Sequence, residues 1–131
     1  MARLTIRIDF DGNAAFGPGK ARLLELIEQT GSLRRAASAM DMSYRRAWLL
    51  LREIEALTKT PVVAARTGGK KGGGTALTPT GRVFVDCYRA IEIQAERSVL
   101  AQLNRLAGMT KRNPDAPQKR KKVTRNRTPT G

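Results

Sequence analysis

Residues 31–50 decide the fold of this chain, and they read GSLRRAASAMDMSYRRAWLL. Two short helical patterns meet at the dipeptide Asp41-Met42, where the chain must turn tightly. Each pattern opens with a serine, Ser32 or Ser43, and serine is a favoured residue for capping the first free amides of a helix. Two helices joined by such a turn predict a helix-turn-helix, a motif whose second helix lies in the major groove of DNA.

The spacing of the apolar residues supports both helices. The first helix extends to about residue 40 and turns Ala36 and Ala37 inward, so that a steeply crossing neighbour can approach closely. The second helix extends to about residue 57. Its inward stripe has helical spacing and consists of Ala47, Leu50, Leu51 and Ile54.

The segment before this motif predicts a strand, a loop and a helix. Leu4–Ile8 alternates apolar and polar residues, which is typical of a half-buried strand. Residues 11–19 are rich in Gly, Asn and Pro and predict a loop. From Lys20 to Thr30 the apolar residues follow helical spacing. Gly31 ends this helix because glycine tolerates the left-handed conformation of a helix C-terminus.

The segment after the motif predicts a β-hairpin wing followed by a final helix. Residues 62–66 and 75–77 have the composition of strands, and five glycines lie around Lys70 and Lys71 between them. A strand, a basic glycine loop and a second strand directly after a recognition helix predict a wing over residues 67–75. Thr78 then caps a helix with proline at its first position, and the apolar pattern continues to about residue 108.

This final helix is long for so small a protein. Roughly 28 residues would span about 40 Å, whereas a body of about 75 residues is only about 25 Å across. Part of the helix should therefore project, and its apolar residues need a partner, most simply the same helix of a second subunit. Cys87 lies inside the apolar pattern and is expected to be a buried, unreactive thiol.

The composition favours a polyanionic partner. The formal net charge is +14 and the sequence pI is about 11.2, a balance typical of nucleic-acid binding. The chain has no histidine and a single cysteine, which makes an enzyme a poor hypothesis. We expect no cofactor, no metal and no membrane association, and a cytoplasmic, nucleoid-associated location.

The composition changes near the C-terminal end, from Lys111 onward. Lys or Arg occupies eight positions from Lys111 onward, against the single acid Asp115, and few apolar residues accompany them. Such a segment cannot bury enough surface to fold. We therefore expect a folded domain over residues 1–107 and a disordered basic tail over residues 108–131.

The candidate DNA contacts lie at the starts of the two helices, two turns into the second helix and at the tip of the wing. Helix amides and arginines at the start of the recognition helix suit phosphates and guanine edges, and the wing lysines suit flanking phosphates. Trp48 is left open between the core and the groove. The candidate residues are Ser43, Tyr44, Arg45, Arg46, Arg52, Arg34, Arg35, Lys70 and Lys71.

Several motifs over residues 3–107 resemble the N-terminal DNA-binding domain of the ModE family of molybdate-dependent regulators. The more specific ones are Met42-Ser-Tyr-Arg-Arg-Ala-Trp48 and Gly68-Gly-Lys-Lys-Gly-Gly-Gly74, and weaker ones are Gly17-Pro-Gly-Lys-Ala-Arg-Leu-Leu, Gly31-Ser-Leu, Ala36-Ala37, Pro61-Val-Val and Leu77-Thr-Pro-Thr-Gly81. The resemblance implies a LysR-like winged helix-turn-helix that dimerises through its first and last helices and binds palindromic operators. A basic tail stands where that family has its oxyanion-binding module, so the resemblance does not extend to molybdate sensing.

Together these features predict a mainly α protein with a small β wing, a winged helix-turn-helix with a long C-terminal dimerisation helix. The expected function is sequence-specific binding of double-stranded DNA by a homodimeric transcriptional regulator, with the recognition helix, residues 43–57, in the major groove. Two alternatives stay open. One is an architectural nucleoid protein without operator specificity, and the other is a sensor that binds an oxyanion at the dimer interface.

Overall fold

The computed structural model describes residues 2–12, 14–66 and 73–111. Within these residues the fold is mostly helical with a two-stranded antiparallel wing, as expected for a winged helix-turn-helix. The elements in chain order are β1 (Ile8–Asp9), β2 (Ala15–Phe16), α1 (Pro18–Thr30), α2 (Leu33–Ala39), α3 (Tyr44–Glu55), β3 (Val63–Arg66), β4 (Gly74–Leu77), α4 (Pro79–Ser98) and α5 (Leu100–Met109).

The N-terminal segment differs in part from the prediction. Burial alternates over residues 4–8 as expected, but the ladder is confined to Ile8–Asp9, which pairs with Ala15–Phe16. The second strand was missed because it lies inside the predicted loop. Its pairing depends on Phe16, which is buried and packs edge-on against the rings of Phe84 and Tyr88.

The helix-turn-helix forms as the sequence predicts. Gly31 ends α1 in the left-handed conformation with φ 74°, and the serine caps of α2 and α3 are both present. In the turn between them Asp41 has φ 60°, a conformation that short polar residues tolerate better than others. Ala36, Ala37 and Ala47 are buried, so small side chains lie where the two helices cross.

The wing is attached to the body by its second strand. In the β3–β4 pair Val63 lies opposite Leu77 and Arg66 lies opposite Gly74. The amide of Thr75 donates to the carbonyl oxygen of Gly31 at 2.8 Å. A Cβ on Gly74 would lie only 2.6 Å from the same oxygen, so this approach of strand to helix end requires glycine.

The predicted single final helix is wrong in one respect, because it breaks at Val99. α4 ends at Ser98, α5 begins at Leu100, and Val99 has φ −117° and ψ 13°. The Ser98 hydroxyl donates to the carbonyl oxygen of Ala95 at 2.9 Å, and this local bond competes with the helical pattern just before a β-branched residue. Thr78 caps the helix with Pro79 at its start, as predicted.

The predicted burial of Cys87 is also wrong. The body-facing stripe of α4 contains Gly81, Val85 and Tyr88, whereas Cys87 lies on the opposite side and is exposed. The helical pattern had included it because the exposed side of α4 is also apolar. No residue of α5 is buried. The predicted boundary after residue 107 stays a prediction, and residues 112–131 lie outside the described part of the chain.

Candidate nucleic-acid interface

The first turn of α3 presents its side chains and its amides to solvent. The Ser43 hydroxyl accepts the amide hydrogen of Arg46 at 3.1 Å, so it satisfies one of the free N–H groups and fixes where the helix starts. Tyr44 is 43% exposed, and Arg45 and Arg46 are also exposed. The positive end of the helix dipole adds to the charge of these arginines.

The start of α2 lies next to the start of α3. The Ser32 hydroxyl accepts the amide hydrogen of Arg35 at 3.1 Å. The guanidinium carbon of Arg34 lies 4.5 Å from the centroid of the Tyr44 ring, within the range of a cation–π contact. The two helix starts therefore share one surface, which the sequence alone did not show.

Trp48 lies outside the core, which answers the question that the sequence left open. Its side chain is 39% exposed, and the neighbouring Leu49 is 40% exposed. The guanidinium carbon of Arg52, one turn further along α3, lies 5.0 Å from the centroid of the Trp48 ring. The sequence left this open because Trp48 is adjacent to Ala47 of the inner stripe, and apolar spacing did not distinguish the inner face of α3 from the outer one.

The surface formed by α2 and the outer face of α3 is positively charged. Arg34, Arg35, Arg45, Arg46 and Arg52 form no salt bridge with any residue that the structure describes. The two acids of α3 point elsewhere. Glu53 pairs with Lys20 at 3.0 Å, and Glu55 accepts the amide of Val62 at 2.8 Å.

One basic residue near this surface was missed from the sequence. Arg66 ends β3. Together with Arg35 it lines a cleft at the base of the wing, which Ser32, Gly73 and Gly74 also line. Its position just before the glycine loop was the signal that could have identified it. Lys70 and Lys71, the predicted wing contacts, lie outside the described residues.

Glu28 holds the base of the wing in place. Its carboxylate accepts the amide of Leu77 at 3.0 Å and the Arg82 guanidinium at 3.1 Å, so it joins α1, β4 and α4. The hydrogen bond from the Leu77 amide, followed by the one from Arg82, lowers the pKa of Glu28 from its ordinary value. The carboxylate is thus charged at neutral pH and fixes the wing beside the C-terminus of α1.

Among the described residues no group of three or more His, Cys, Asp or Glu side chains has the arrangement of a metal site. In the same part of the chain, none of the helices combines the length and the apolar character that a membrane crossing requires.

No protein-family model matches the chain, but individual regulators do. It is 38% identical to the molybdenum transport protein ModE of Azotobacter vinelandii over 110 residues, 84% of this chain and 40% of that protein. It is 42% identical to the molybdenum-pterin-binding protein MopB of Rhodobacter capsulatus over 60% of this chain and 29% of that protein. Against the DNA-binding transcriptional dual regulator ModE of Escherichia coli K12, identity is 35% over 54% of this chain and 27% of that protein. The chain thus spans less than half the length of these relatives.

Proposed function

Because the chain is homologous to ModE-type regulators over most of its length, we propose that it is a DNA-binding transcriptional regulator. It acts as a homodimer on a palindromic duplex operator. The two copies of α3 enter successive major grooves, about 34 Å apart on one face of the DNA. The wings contact the phosphates that flank each half-site.

The main observation in support is the surface formed by the starts of α2 and α3. Arg45 and Arg46 stand beside the free amides of a capped helix start, and Arg34 crosses over Tyr44 from the neighbouring helix. In this arrangement α3 supplies the contacts to base edges, since bidentate arginine is the commonest reader of guanine. Arg34 and Arg35 bind the phosphate backbone, and Ser43 adds a phosphate contact. Arg52, two turns into α3, is a further phosphate contact.

The cleft at the base of the wing supplies a second phosphate contact. Arg35 and Arg66 both line this cleft, and the glycines that line it with them leave room for a DNA strand to approach the backbone. We extend this proposed contact to Lys70 and Lys71, which lie in the sequence between the residues of β3 and those of β4.

The last two helices supply the dimer interface. α1 has no large apolar residue exposed, whereas α4 and α5 expose a set of them to solvent in the single chain. An exposed apolar surface of this kind marks an interaction site. In the proposed dimer, α1 adds polar contacts to the interface that α4 and α5 form. The exposed apolar residues are Val83, Ile91, Ile93, Leu100, Leu106 and Met109.

Selection of DNA followed by footprinting tests this function. The purified protein is incubated with random duplex DNA at about 0.15 M salt, where nonspecific binding is weak, and the bound fraction is amplified and sequenced. An operator-specific regulator enriches an inverted repeat, and it then protects a discrete site in a footprint. A protein without operator specificity enriches no motif and protects DNA uniformly. That outcome contradicts the proposal and favours the architectural alternative.

A further inference from the structure

α3 has two stripes with the same spacing on different sides of the helix. The inner stripe, Ala47, Leu50, Leu51 and Ile54, faces the core, with Ala47 and Ile54 fully buried. The outer stripe has the same separations of three, four and seven residues, which place side chains on one helix face. It consists of Arg45, Trp48, Leu49 and Arg52, all of them exposed.

The centre of the outer stripe is apolar although its ends are charged. Trp48 and Leu49 are 39% and 40% exposed, and single copies of such residues on a surface need no explanation. Here, however, two large apolar side chains are adjacent and lie between Arg45 and Arg52. Arg52 also stacks on the indole ring at 5.0 Å, which restricts the rotation of Trp48 before any partner binds.

The partner of this stripe must offer negative charge on both sides of an apolar group. The floor of the DNA major groove has this combination, since phosphates line its two edges and thymine is the base that presents a methyl group there. An acidic segment of another protein with an apolar centre is the alternative partner. DNA is favoured because the stripe continues the surface on which Tyr44, Arg45 and Arg46 stand.

We propose that Trp48 and Leu49 recognise thymine methyl groups in the operator. This inference rests on the proposed function, and it assigns a specificity role to two residues for which the proposed function names no DNA contact. Four residues separate Arg45 from Leu49, or about 6 Å along the helix axis. Since base pairs are stacked about 3.4 Å apart, the contacted thymines lie about two base pairs from the base that Arg45 contacts.

Replacement of thymine by deoxyuridine in the selected operator tests the inference, because this change removes the C5 methyl group and keeps every hydrogen-bonding atom. Each thymine is replaced in turn and the Kd is measured. We expect about fourfold weaker binding at one or two positions in each half-site, since burying one methyl-sized group stabilises by roughly that factor. Deoxyuridine at the remaining positions leaves the Kd unchanged.

Two variants link that loss to the residues. A double variant that carries both Trp48→Ala and Leu49→Ala should bind the thymine and the deoxyuridine operators equally. The control is Arg7→Ala, at an exposed arginine of the N-terminal segment, and it should retain the difference in Kd between the two operators. Thermal melting confirms that the double variant is folded.

If no deoxyuridine substitution weakens binding, or if the loss persists in the double variant, the inference is wrong although an operator exists. If no operator is selected, the proposed function fails first and the inference with it. Unchanged DNA binding by the double variant would point to a protein partner and overturn the inference.

Discussion

Arg45 has the position that base recognition requires. It lies in the first turn of α3, on the outer face, and it forms no salt bridge with a described residue. Its guanidinium is thus available for a bidentate contact, while the packing of Ala47 and Ile54 beneath fixes the helix. The proposed recognition therefore depends on single residues, because the position of each residue along α3 sets the side of the helix on which its side chain lies.

We predict that Arg45→Ala weakens binding to the selected operator by about 1–3 kcal/mol and removes the preference at one base pair. Kd values on the selected operator and on random DNA measure this, with Arg7→Ala as the control that removes the same charge elsewhere. An equal loss on both DNAs would contradict a role in base recognition and would leave a phosphate contact.

Tyr88 fixes the N-terminal segment to α4. It is 2% exposed, and its hydroxyl donates to the carbonyl oxygen of Ile6 at 2.6 Å. Burial, and after it the nearby Glu92 carboxylate, raises the pKa of Tyr88 to about 12. The unfolded chain ionises this phenol near its ordinary value of about 10.

The raised pKa predicts a loss of stability in alkali. The contribution of the protonated Tyr88 to the free energy of unfolding is complete below pH 10. It is lost as the pH rises toward 12, because the unfolded chain then releases the phenol proton more readily than the folded chain does. Urea unfolding at pH 9 and pH 11.5 should show a decline in the wild type that exceeds the decline in Tyr88→Phe by about 2 kcal/mol. Parallel declines in the two proteins would show that another group is responsible.

At the scale of elements, the attachment of α4 to the wing depends on close backbone contact. The amide of Thr78 donates to the carbonyl oxygen of Val62 at 2.9 Å, and the Thr78 hydroxyl donates to that of Pro61 at 2.6 Å. Gly81, the third residue of α4, lies against Val62 just before β3. A Cβ on Gly81 would overlap the Val62 carbonyl oxygen.

Gly81→Ala should therefore destabilise the protein by more than about 2 kcal/mol, although alanine favours helices. The matched control is Gly19→Ala in α1, where a Cβ would meet nothing within 4 Å. That change should leave stability unchanged or raise it by up to about 1 kcal/mol. Thermal melting of both variants measures the difference, and equal melting temperatures would show that α4 can shift away from Val62 without cost.

At the scale of the whole molecule, the apolar stripe of α4 and α5 requires a partner. Val83, Cys87 and Ile91 follow one another at helical spacing on the side of α4 opposite the core. The break at Val99 separates α5 from α4, and both helices have large apolar residues exposed to solvent. Association of two copies would cover this surface and place two recognition helices on one DNA.

If the chain forms the proposed dimer, Ile91→Asp should yield a monomer at micromolar concentration, because the proposed interface would have to bury a carboxylate. Sedimentation equilibrium measures the mass, and circular dichroism verifies that the helices remain. Ala64→Asp, at an exposed position of β3, is the control and should leave the mass unchanged. A dimeric Ile91→Asp would place the interface elsewhere.

The basic segment after residue 110 should act on DNA through charge alone. Deletion of residues 111–131 removes eight cations and one acid. Binding should then depend less steeply on salt concentration, since fewer counterions are released from the phosphates. The slope of log K against log salt measures this, and the melting temperature should not change. An unaltered slope would mean that the segment makes no DNA contact.

The helix-turn-helix, the strands of the wing and the caps of α2, α3 and α4 could all be predicted from the amino-acid sequence. These features depend on neighbours within a few residues: serine or threonine before a first turn, glycine after a last one. Only the tertiary structure decided the pairing of β2, the break at Val99, the exposure of Cys87 and Trp48, and the meeting of Arg34 with Tyr44. The reason is physical, because apolar spacing indicates which side chains avoid water but not what covers them, and the same pattern suits a core, a second subunit or the floor of a DNA groove.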